Sequence, residues 1–143
     1  MSAPQVQPKI RVYVYPSEMS YIRPLETIAK YIRDKTEGGR VSRHHISRMF
    51  EPLEEFLSGV GGKSDTIASI MDLFARHYGF DSEQELVKVT EAVVSLVDYI
   101  AMQKSVNPTR TLTFRILKKM RVLLIGMVTG ILYVSFEPIE KKS

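Results

Sequence analysis

The chain has 143 residues, 44% hydrophobic, 25% charged and 9% aromatic. That is one domain's worth of globular sequence, and it excludes a wholly disordered chain, a collagen-like fibre and a multi-span membrane protein. There is no cysteine, which removes a disulfide scaffold, a Cys-based zinc site and a thiol nucleophile. A net charge of +4 with pI ≈ 9.3 permits an anionic partner without requiring one.

The position of the charge says more than its total. Residues 1–48 carry nine Lys/Arg against four Asp/Glu, residues 49–104 carry four against ten, and residues 105–143 carry seven against two. Two basic ends flank an acidic middle. Either the ends and the middle pair with each other in the fold, or the basic ends meet a polyanion. One Asn, four Gln and no Cys match the depletion of labile residues that hot environments favour.

Residues 1–20 read as an extended arm. Residues 1–7 are polar and Pro-punctuated, unlike a secretory signal. Pro4, Pro8 and Pro16 forbid a continuous helix, and residues 9–15 (KIRVYVY) alternate polar and apolar with the period of a short strand. Flanked by Pro, it would be an edge strand or a partner-seeking tail. From Ser20 the period turns helical: Ile22, Leu25, Ile28, Ala29 and Ile32 form one stripe opposite Arg23, Lys30 and Arg33, ending at Gly38 and Gly39. A second helix from about Ser42 turns Ile46, Met49, Phe50, Leu53, Phe56 and Leu57 inward, and Pro52 must kink or restart it. A third starts near Ser64 or Asp65, buries Ile67, Ile70, Met71 and Phe74, and stops at Gly79. In the fourth, Ser82 and Glu85 have capping-box spacing ahead of Leu86, Val89, Val93, Leu96, Val97 and Ile100. Asn107 and Pro108 supply a cap and an N1 proline for a fifth. Its stripe of Leu112, Ile116, Met120, Leu123, Met127 and Ile131 can run to about Val134, unless residues 133–136 finish as a strand beside the N-terminal one. The expected fold is an all-α bundle of about five helices over residues 21–143, with short loops, an extended arm over residues 1–20 and a short terminal β pairing as an option.

Residues 122–136 carry no charge, but a single span needs roughly 20 apolar residues. Gly126 and Gly130 have the spacing that lets two helices approach closely. A buried helix in a tight bundle or a subunit contact is preferred over a membrane anchor.

Enzyme signatures are scarce. Gly59, Gly61, Gly62, Lys63 and Ser64 resemble a phosphate loop, but the first glycine is two residues too close to the lysine and no strand precedes it. His44 and His45 are adjacent, so on a helix they point about 100° apart and cannot chelate one metal from a single face; His77 has no second ligand close in sequence. Glu51, Glu54 and Glu55 read as a solvated helix face. No catalytic residue, metal or cofactor is assigned.

The basic features are stronger. Between Asn107 and Val122 every charged residue is positive: Arg110, Arg115, Lys118, Lys119 and Arg121. On a helix, Arg115, Lys118 and Lys119 fall within about 100° of arc, a ridge able to follow a phosphate backbone. Thr109, Thr111 and Thr113 add hydroxyls at the helix start, where free N–H groups also favour phosphate. The competing reading is a solvated face paired with the acidic residues of 81–91. Arg40, Arg43, His44 and Arg48 make a second patch with no acid between Val41 and Phe50, and Lys9 and Arg11 lie on the arm. Aromatics are thinly interleaved, which favours contact with a duplex backbone over base stacking. A helix-turn-helix over residues 27–50 would lack a reading face, since Ile46, Met49 and Phe50 are apolar.

The arm over residues 2–20, the patch at 40–48, the basic helix at 107–121 and the apolar end at 122–136 give the whole chain a layout. It resembles that of the small major capsid proteins of filamentous and rod-shaped archaeal viruses (tristromavirus, lipothrixvirus and rudivirus types). The resemblance implies a helical subunit that dimerises and wraps genomic DNA in an A-like form. The acidic middle departs from that pattern and would lie away from DNA or at subunit contacts.

The expected function is a non-enzymatic, self-assembling capsid or nucleoprotein subunit that binds double-stranded DNA without sequence preference. Its place is the virion, or the cytoplasm for a non-viral protein. Lys9, Arg11, Arg40, Arg43, His44, Arg48, Arg110, Arg115, Lys118, Lys119 and Arg121 would meet the phosphates, and Gly126 and Gly130 a homo- or hetero-oligomeric neighbour. The alternatives are a small helical subunit of an RNA-guided ribonucleoprotein, an interaction protein tethered by residues 122–136, and a transcription regulator.

Overall fold

The computed structural model describes residues 10–36, 43–107, 109–132 and 134–140. Strand β1 (Ile10–Val14) leads through a 3-10 turn (Pro16–Glu18) into helix α1 (Met19–Lys35). Helices α2 (Arg43–Arg48), α3 (Phe50–Leu57), α4 (Lys63–His77), α5 (Glu83–Val106) and α6 (Arg110–Thr129) follow, and β2 (Val134–Pro138) comes last. The fold is the expected all-α bundle with a terminal β pairing.

Helix α1 is the hub. Its stripe of Ile22, Leu25, Ile28, Ala29 and Ile32 is at most 1% exposed, and it packs against both α5 and α6. Leu53 and Leu57 of α3, Val93 and Ile100 of α5, and Met120 and Leu124 of α6 complete a single core. Full burial of each large aliphatic side chain contributes about 1.5–3 kcal/mol, so the stripe in α1 outweighs the weak helix propensity of its β-branched residues.

Local chemistry sets the boundaries. Ser82 caps α5 by accepting from the Glu85 N–H at 3.2 Å. Gly62 donates its N–H to the Asp65 carboxylate at the start of α4, and Gly79, at φ 70, lies just past its end. The expected second helix is split into α2 and α3 by a turn at Met49. Pro52 is the cause: it has no N–H for the Arg48 carbonyl four residues back, and its ring crowds that carbonyl.

Four expectations shift. The fifth helix starts at Arg110 behind Thr109, while Asn107 ends α5 by donating its N–H to the Gln103 carbonyl; Pro108 lies outside the described residues. The buried stripe of α6 is Thr113, Leu117, Met120, Leu124, Met127 and Val128, whereas Leu112 and Ile131 are exposed. Leu86 of α5 is likewise exposed. Finally, α6 stops at Thr129, because Gly130 adopts φ 77 and turns the chain.

The chain beyond that turn returns as β2, which pairs with β1 in parallel, Ile10 opposite Val134 and Val14 opposite Pro138. The Ile139 N–H donates to the Val14 carbonyl at 2.8 Å. The described part of the arm is therefore a docked edge strand. Phe136 is buried and Val12, Val14 and Val134 pack on the core, while Ile10, Tyr13 and Tyr15 face out.

Candidate nucleic-acid interface

Because Thr113, Leu117, Met120 and Leu124 turn inward, Thr111, Arg115, Lys118 and Val122 turn outward, and all four are exposed. They follow i, i+4, i+7, i+11 spacing on one face. Arg115 and Lys118 make no ion pair among the described residues. Thr113 is fully buried, so its hydroxyl is withdrawn from any phosphate.

The other cations of α6 differ. Lys119 is 2.9 Å from the Glu18 carboxylate, which also accepts from the Tyr21 hydroxyl at 3.0 Å. Burial works to raise the Glu18 carboxyl, but Lys119, the Tyr15 N–H and the Tyr21 hydroxyl outweigh it and hold it below its usual value. The hydrogen bond to Glu18 raises Lys119 in turn. Lys119 thus ties α6 to the start of α1. Arg121 lies 4.0 Å from Glu54 of α3. Arg110 opens α6.

Helices α2 and α3 pack against α6, which brings the two acid-free segments onto neighbouring elements. Arg43 and His44 are exposed at the start of α2, and Arg48 is half-buried at its end. Arg11 is exposed on β1 opposite Ser135, so it belongs to the sheet rather than to either basic helix. Lys9 and Arg40 lie outside the described residues.

Several acids of the middle segment are engaged away from α6. Asp81 and Glu85, at the head of α5, both bind the Lys35 ammonium of α1, Glu85 at 2.9 Å, and these bonds, Asp81 first, raise Lys35 above its usual value. Lys63 pairs with Asp98 at 2.8 Å. The expected pairing of ends with middle therefore holds for α1 and α5 but leaves the outer face of α6 unneutralised.

Sequence reasoning missed one contact. The imidazoles of His45 and His77 stack with centroids 4.4 Å apart and planes 24° apart. The two are distant in sequence and follow no shared period, so only the docking of α2 on α4 reveals the pair. Among the described residues no group of three or more His, Cys, Asp or Glu is placed to hold a metal, and no helix is long and apolar enough to cross a membrane.

Gly126 and Gly130 serve within the chain. The Leu132 N–H donates to the Gly126 carbonyl at 3.0 Å, and a Cβ built on Gly126 would lie 2.9 Å from Leu132 Cβ. Leu132 makes this close approach at Gly126 alone, while Gly130, with open space around it, supplies the turn. A cleft of ≈ 530 Å³ opens beside this turn, with Lys30 and Arg33 at the rim and Met127, Leu132 and Phe136 beneath. Arg33 closes one side by donating to the Met127 carbonyl at 2.9 Å.

Compared with known proteins, the chain matches no family model, no curated protein and no solved structure.

Proposed function

We propose that this protein is a structural nucleic-acid-coating subunit, of the capsid or nucleoprotein kind, that self-assembles along duplex DNA. On this reading it holds phosphates on the outer face of α6 and the adjoining α2, and it resides in the virion or, outside a virus, in the cytoplasm. The observation that carries the reading is the pair Arg115 and Lys118, exposed on one face and without a carboxylate partner among the described residues, while Glu18, Asp81, Glu85 and Asp98 are held by other cations. Unpaired cations one helical turn apart suit a polyanion, because each phosphate neutralised releases condensed counterions. Assembly finds support in the sheet, whose two strands leave an edge on either side unpaired.

The test is binding of unrelated duplex DNA sequences across a salt series, with electron microscopy of the protein alone and with DNA. Affinity should fall steeply with salt, vary little with sequence and accompany regular filaments. Replacing Arg115 and Lys118 by Glu should reduce the salt slope by roughly two while the helical signal persists. Binding that ignores salt, or is unchanged in that variant, overturns the reading.

Phe114, 38% exposed beside Arg115, favours a second reading as a ribonucleoprotein subunit, since an aromatic next to a cation can stack an unpaired base. Preference for single-stranded RNA over duplex DNA, lost in Phe114→Ala, would select it.

A further inference from the structure

We propose that His45 and His77, together with Arg48 and Arg76, form a binding site for a phosphate group whose occupancy strengthens as the pH falls. Resting on the reading above, it names a second point where the nucleic-acid backbone is held and adds proton dependence to it.

The geometry favours an anion over a metal. Two rings stacked at 24° keep their nitrogens in nearly parallel planes, so their lone pairs cannot converge on one point-like cation. An anion with several oxygens can span both planes and accept from each ring, and protonated imidazoles are donors at both nitrogens. His44 lies next in line, 6.2 Å from His45 between ring centroids.

The charges that act directly on His77 are of one sign, and the acids on the neighbouring helices stand further off or are paired. The acting groups are His45, Arg48 and Arg76, with Arg43 and His44 further along α2. Helix α4 contributes Asp72, which is bound to Arg76 at 2.7 Å. Helix α3, packed on both α2 and α4, carries Glu51, Glu54 and Glu55, of which Glu54 faces Arg121 of α6. Helix α1 brings Asp34 and Lys35, the latter held by Asp81 and Glu85. Below the rings the walls are apolar, formed by Ile32, Ile46, Met49 and Phe74.

This setting dictates the sign. Burial first, then the neighbouring cations, keep the His77 imidazole below its usual value, so the free protein favours the neutral ring. An anion reverses the balance by stabilising the charged ring, and its affinity therefore rises as pH falls below about 6.5.

The experiment follows the imidazole resonances of the full chain by NMR from pH 8 to 5, in inorganic phosphate and in chloride of equal ionic strength, and then with duplex DNA. Phosphate should raise the midpoints of His45 and His77 by about one pH unit each, equivalent to about tenfold tighter binding for each ring protonated. Both shifts should vanish in Arg48→Gln. Duplex DNA should do the same, and its affinity should lose its pH dependence, but not its salt dependence, in the double variant His45→Gln, His77→Gln. Shifts with phosphate but not with DNA keep the site and assign it to free phosphate or a phosphomonoester. Midpoints unmoved by either anion overturn the inference even where DNA binds through α6. Failure of DNA to bind at any pH overturns the function proposed above, while the phosphate titration still decides the site.

Discussion

Lys119 and its neighbours Arg115 and Lys118 share one arc of α6, yet of the three only Lys119 has a carboxylate within reach among the described residues. Sequence spacing shows which residues share a face; it cannot show that Glu18 arrives there from the opposite end of the chain. Lys119→Ala should accordingly lower stability with little effect on DNA affinity, the reverse of a change at Lys118, as thermal melting and binding measured side by side would show. Tyr31 gives a second prediction. Its ring is stacked on Phe80, and its buried hydroxyl has no hydrogen-bond partner among the described residues. Burial pushes the phenol up to about 12, with Lys35 pulling the other way. Unfolded, the same phenol ionises near 10, so the unfolded chain releases its proton first. The resulting stability is complete below pH 10 and is lost as pH rises towards 12. Burial also raises Tyr21, Tyr78 and Tyr99, so Tyr31→Phe should reduce this alkaline loss without abolishing it. Urea denaturation between pH 8 and 11.5 would measure the difference. At pH 8 the variant should equal or exceed the parent by about 1 kcal/mol, since an unsatisfied buried hydroxyl is removed.

At the level of elements, legibility followed the strength of the local pattern. In α1 the apolar stripe faces charges on the opposite side, leaving one possible phase, and the residues expected inside are inside. Pro52 broke the second helix where its missing donor requires. In α6 the run from Val122 to Val128 is apolar on nearly every side, so spacing alone cannot choose the buried face. Packing against α1, α3 and α5 chooses it, burying polar Thr113 and exposing Leu112. The same ambiguity hid the end of the helix. Gly126 and Gly130 suggest a contact between helices, but the nearest apolar partner is Leu132, six residues beyond Gly126. Gly126→Ala should therefore cost about 1–3 kcal/mol, the range for forcing an extra methyl into a packed site. A melting temperature unchanged from the parent's would contradict this account.

Over the whole molecule, the charge asymmetry of the sequence became a division of labour. Acids at the head of α5 meet the tail of α1, and the surplus of cations is left on α2 and α6. That surplus was legible as two acid-free stretches, but their adjacency was not, because it depends on α2 and α3 docking against α6. The stacked histidines depend equally on tertiary docking. Local stability should be uneven. Two paired five-residue strands form a marginal sheet, whereas α1 and α5 hold the core. Native-state hydrogen exchange should show the amides of β1 and β2 opening well before those of Leu25, Ile28 and Val93; equal protection would mean the sheet belongs to the same cooperative unit.

Parallel pairing of the first and last strands also has a mechanical side. Tension applied through the two ends draws β1 towards Ile10 and β2 towards Pro138, which are opposite ends of the ladder. The strands are then loaded in shear, so the force is shared along the ladder instead of unzipping it from one end. A fastening that opens readily at rest would thus resist a pull along its strands better than one of the same length that peels open pair by pair.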